Sequence, residues 1–174
     1  MADQQPHPWL RGPVEGVPAE LQPVAHALIQ TREEVAAFTA GFPDALLWEG
    51  VAGLAPVGFH LKHIAGVIDR LFGQAELTTV TDEMRAALAV ERAHGEPVGA
   101  TTASLVAAVD AAVDRAIDQL RRTDPSTLYD HRPVGSKRLP STVAGMLFHA
   151  AEHAQRHCGQ LLVTTRSLLA GVAD

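Results

Sequence analysis

Four separate stretches of this chain place apolar residues three and four apart, the spacing that lines one side of an α-helix. That recurrence limits the fold more than any other feature. In the first stretch, Leu21, Val24, Leu28, Val35 and Phe38 lie between Ala19 and about Ala40, and Gly41 follows as a terminator. In the second, Val57, Ile64, Ile68, Leu71 and Phe72 share a side downstream of Pro56, which suits a helix start because its missing N–H costs nothing there. Thr101 or Thr102 caps the third, where Leu105, Val109, Val113, Ile117 and Leu120 recur up to Arg121 and Arg122. Ser141 or Thr142 caps the fourth, which runs towards Leu169. Each stripe must be buried against another element, so the pattern predicts an all-α fold, a four-helix bundle.

The segments between these stretches complete the expected organisation. Residues 1–18 hold Pro6, Pro8, Pro13 and Pro18 and read as a proline-rich N-terminal arm, leaving 19–170 as one bundle domain. Phe42 to Pro56, with Gly50 and Gly53, is a connector onto which Trp48 can pack. Thr81 to His94 starts with Thr81-Asp82 and stops before Gly95-Glu96-Pro97, which predicts an additional short helix between helices two and three. Thr123 to Pro140 reads as an irregular link, and no stretch reads as a strand. At 174 residues the chain suits one core. Its net charge of −6, with no block of Lys and Arg interleaved with aromatics, argues against nucleic acid and anionic membrane as partners. Neither a signal peptide nor an apolar run of about 20 residues is present, so the expected location is cytoplasmic. The single cysteine, Cys158, cannot form an internal disulfide.

Chemistry concentrates in the histidines, of which five of nine fall in two segments. His149, His153 and His157 are each four residues apart, and a four-residue step on a helix rotates by only about 40°, so they form one ladder of imidazoles. Cys158 points roughly 100° away from His157, into the apolar face, and reads as a small buried hydrophobe. The second segment, Gly58-Phe59-His60-Leu61-Lys62-His63-Ile64, lies in helix two, where His60 or His63 can face the ladder across the bundle and add a third nitrogen. Neutral imidazole suits late divalent ions, and three such ligands leave positions open for water or substrate. Gln160, Glu152 and backbone carbonyls are the local candidates to fix the rings.

The segment from Pro56 to Leu71, taken with Leu147 to Leu161 and its His153-Ala154-Gln155-Arg156-His157-Cys158-Gly159-Gln160 motif, resembles the DinB/YfiT-like superfamily of metal-binding four-helix bundles. The resemblance covers residues 19 to 169. It implies that His63, His153 and His157 are the ligands of a divalent metal, zinc or nickel. His60, His149 and Gln160 are left as cleft residues or alternative ligands. It also implies a homodimer, and a metal-dependent enzyme acting on a small-molecule substrate. Such an enzyme, a thiol S-transferase, isomerase or hydrolase, would activate a low-molecular-weight thiol or water for transfer to a small electrophile. The alternative expectation is a non-catalytic, metal-stabilised stress-response dimer. Many relatives have Arg or a hydrophobic residue where this chain has Cys158, between the last histidine and the Gly-Gln.

Overall fold

The computed structural model describes residues 5–76, 86, 89, 98–135 and 137–172. Among them are four long helices: α1 (Gln22–Phe38), α2 (Val57–Ala75), α3 (Thr102–Arg122) and α4 (Val143–Val172). The expected short helix over Thr81 to His94 lies outside the described residues, apart from Ala86 and Ala89.

Helix boundaries follow local chemistry. A 3-10 turn, Ala19–Leu21, precedes α1, so the regular helix begins three residues later than the apolar pattern alone predicts. Pro56 is the extended residue just before α2 rather than its first helical residue. Thr101 caps α3 in a reciprocal box: its side chain accepts from the Ser104 N–H while the Ser104 hydroxyl accepts from the Thr101 N–H. Thr142 opens α4, its Oγ1 accepting from the Gly145 N–H at 3.0 Å.

The helices close around one core in a definite sense. Close pairings join α2 to α4, α2 to α3, α1 to α4 and α1 to α3, which leaves α1 and α2 on one diagonal of the bundle. Arg115 binds Asp69, and four residues on Gln119 donates to the Phe72 carbonyl, so α3 runs parallel to α2. His60 lies opposite His157 and His63 opposite His153, so α4 runs antiparallel to α2. Across the α1–α3 pairing, Asp44 accepts from the Thr102 N–H just past the end of α1, while Arg121 reaches the Glu15 carbonyl just before its start. Hence α1 opposes α3. The order is up, down, down, up. Because α2 and α3 are parallel, the end of α2 and the start of α3 lie at opposite ends of the bundle. Leu28, Val35, Leu61, Ile64, Val109, Val113, Leu120, Leu147, Ala150, Ala154 and Leu161 are buried where the stripes meet. Each Leu or Ile there contributes on the order of 2 kcal/mol by leaving water.

One feature departs from the expected pattern and another adds to it. The link before α4 contains a hairpin, β1 (His131–Val134) antiparallel to β2 (Leu139–Thr142), in a region predicted to be irregular. Strands of four residues are too short to show a period of two. Pro133 faces Pro140 across the ladder, a pairing tolerated where the missing N–H groups would point away from the partner strand. The arm, in turn, is docked: Pro8 is buried, Arg11 grips Glu33 of α1 through two bonds of 2.6 and 2.7 Å, and His26 reaches the Gly12 carbonyl. No described helix is long and apolar enough to cross a membrane.

Candidate metal centre

Antiparallel packing of α2 on α4 brings His63, His153 and His157 together, each half-buried. The Nε2 atom of His153 lies 2.8 Å from Nε2 of His63 and 3.1 Å from Nε2 of His157. One ligand atom from each ring falls within 4.8 Å of the other two, so these residues could hold a metal ion. Phe59 stacks on His63 at 5.3 Å between centroids and restricts its ring from the side.

Valence provides the test of fit. An imidazole Nε2 has either one proton or one lone pair, yet that of His153 has two nitrogen neighbours at hydrogen-bonding distance and can serve only one of them. A cation taking one lone pair from each ring removes the conflict. At metal–nitrogen distances of about 2.1 Å, ligands sit about 3.0 Å apart at right angles and about 3.4 Å apart in a tetrahedron, close to the spacing present. The donor set therefore fits a metal ion.

The electrostatics favour the neutral rings that ligation requires. Burial, together with the neighbouring imidazoles and Arg156, pushes His157 down to about 3. His153 is likewise lowered, first by burial and then by the charges of His63, Arg156 and His149. Burial and then His63 bring His60 down to about 4, with the Ala55 carbonyl pulling the other way. On His60 and His157, lone pairs thus remain available well below neutral pH.

The other candidates separate clearly. His60 is 4% exposed, and its Nδ1 lies 3.0 Å from Nδ1 of His157, on the far side of that ring from the cluster. His149 is half-exposed and bonds Glu152 at 2.6 Å; these two with His153 form a second group close enough for a cation. Glu152, expected to orient a ligand, instead takes Arg156 at 2.8 and 3.0 Å as well as His149. Gln160 lines a cleft of about 470 Å³ whose wall also includes Leu54, Ala55, Phe59, His60, Arg156, His157 and Val163. Cys158 is fully buried against the Thr31 carbonyl, and burial drives its thiol up to about 12, which removes it as a ligand or nucleophile. Sequence reasoning let His60 or His63 face the ladder; it did not foresee that both would, with His60 against His157, although the three-residue step puts both rings on adjoining faces of one helix.

Comparison with protein-family models matches residues 27–161 to the DinB superfamily. The chain belongs to the DinB superfamily. The matched span starts within α1 and ends within α4, so it includes every member of the histidine cluster of this DinB-superfamily chain. No curated protein matches it.

Proposed function

We propose that this DinB-superfamily protein is a metal-dependent enzyme that activates a low-molecular-weight thiol or water for transfer to a small electrophilic molecule. The observation that carries the reading is the double position of His157, which belongs both to the nitrogen cluster and to the wall of the cleft. His63, His153 and His157 would hold a divalent ion, zinc or nickel by the preference of imidazole nitrogen. Bound there, such an ion lowers the pKa of a water or thiol that it coordinates and so supplies a nucleophile near neutral pH.

The chain's own residues do the rest. Leu54, Ala55, Phe59 and Val163 give the cleft an apolar lining that displaces water from the body of a small substrate. Arg156 stands at its edge with Nη2 tied to Glu152, so the remaining guanidinium N–H groups can receive a polar or anionic end. Phe59 and His60 restrain the rings of His63 and His157 from turning away.

The test is a transfer assay. Protein loaded with zinc or nickel is mixed with glutathione or another small thiol and 1-chloro-2,4-dinitrobenzene, and compared with a variant in which His63, His153 and His157 are all alanine. Turnover well above that of the variant supports the reading, and equal rates remove it. A non-catalytic, metal-stabilised protein would give equal rates, a melting temperature that falls on chelation, and a cobalt spectrum that no thiol alters.

A further inference from the structure

His60 is the buried imidazole that the cluster itself does not use. At 4% exposure it lies inside α2's packed face, where an unpaired polar ring would be costly. Its Nδ1 meets Nδ1 of His157 at 3.0 Å. Two nitrogens that close must be one donor and one acceptor, so only two proton arrangements exist. In one, His157 carries its proton on Nδ1 and donates to His60, which leaves the Nε2 lone pair of His157 aimed into the cluster. In the other, His60 donates, and His157 must carry its proton on Nε2, where it blocks that lone pair. The cluster decides between them: Nε2 of His157 lies 3.1 Å from Nε2 of His153, and only the first arrangement leaves its lone pair for an ion shared there.

We infer that His60 is a positioning residue for His157: it accepts the Nδ1–H of that ring and thereby fixes the tautomer and rotation that present Nε2 to a divalent ion. This role rests on the metal-centre reading above. It assigns to a histidine on α2 the orienting task that metal-bound histidines usually give to a carboxylate or a carbonyl. It also explains why Glu152, one residue from His153, is free to pair with Arg156 and His149.

Two variants and one spectrum test it. Cobalt(II) is titrated into wild type, His60→Leu and His60→Asn, with circular dichroism to establish that each is helical. The Oδ1 of asparagine is as many bonds from Cα as Nδ1 of histidine, so it can accept the same proton. His60→Leu should weaken cobalt binding by about 10- to 100-fold, and His60→Asn should recover most of that loss. Long-range proton–nitrogen spectra of metal-free wild type, which need no variant, should show His157 protonated at Nδ1.

Cobalt binding in His60→Leu within threefold of wild type would overturn the inference and leave the metal centre standing. Equal weakening in both variants would reduce His60 to packing, and a His157 protonated at Nε2 would also overturn the role. If wild type binds no cobalt, the metal-centre reading fails first, and this inference fails with it.

Discussion

Acidifying the metal-free protein from pH 8 to pH 5 should destabilise it through His60 and His157, before its carboxylates begin to protonate. Their folded values are about 4 and about 3, against an ordinary 6.5. Below 6.5 the unfolded chain binds a proton at each position that the folded chain refuses. Stability is therefore fully present above 6.5 and is lost as pH falls towards the folded values. Each pH unit in that window is worth about 1.4 kcal/mol per group, so by pH 5 each ring accounts for a loss of about 2 kcal/mol. The two rings share a contact of 3.0 Å and do not add freely. The expected loss is about 2–4 kcal/mol, a large part of the 5–15 kcal/mol typical of a domain. Glu33, Asp44 and Asp124 are lowered by hydrogen bonds from Arg11, Thr102 and Ser126, from ordinary values of 4.5, 3.8 and 3.8, so their contributions disappear only at lower pH. Urea unfolding followed by circular dichroism, with a chelator present, gives the difference directly in wild type and in a His60→Leu, His157→Leu double variant. The reasoning is refuted if wild type changes by less than about 0.5 kcal/mol, or if the double variant loses as much as wild type.

Three further outcomes are expected. Gly58→Ala puts a Cβ 2.7 Å from two ring carbons of Trp48; the clash should outweigh the gain in helix propensity and cost about 1–2 kcal/mol, so an unchanged urea midpoint would count against this packing. Cys158 should resist iodoacetamide at pH 8 in the native protein and react readily in urea, and mass spectrometry showing equal rates would contradict its burial. Zinc at one hundred times its dissociation constant should stabilise wild type by about 2.7 kcal/mol, and His63→Ala should abolish the matching rise in melting temperature. A variant that melts higher with zinc, as wild type does, would exclude His63 as a ligand.

What could be read before folding was whatever repeats with the period of a helix. The four stripes and the glycine after the first were legible because periodic burial leaves a local trace, as was the Thr101 cap, which depends on neighbours only three residues away. The hairpin was not, because two four-residue strands are recognised by pairing across a turn and not by composition. Within the site, His153 and His157 announced themselves by spacing, and Cys158 by its angle on the wheel. Glu152, one of several candidates to fix a ring, takes that of His149. Proximity in sequence made it a partner for the cluster, whereas Arg156 at i+4 and His149 at i−3 compete for it on the same helix face. The His60–His157 contact spans 97 residues, and no local pattern encodes a pairing of that range.

The antiparallel meeting of α2 and α4 has a bearing on when the protein matures. His63 and His153 are 90 positions apart, so a cation shared between them would staple a loop of that length. By chain-entropy reasoning, a cross-link of such span removes about 4–5 kcal/mol of disorder from the unfolded ensemble. During synthesis at about 5–20 residues per second, the first imidazole waits roughly 5–20 s for its counterpart to emerge. Capture of such an ion would thus be a finishing step that locks the last helix in place, and until then the earlier part of the polypeptide would rely on its apolar contacts and on ties such as Arg115 to Asp69.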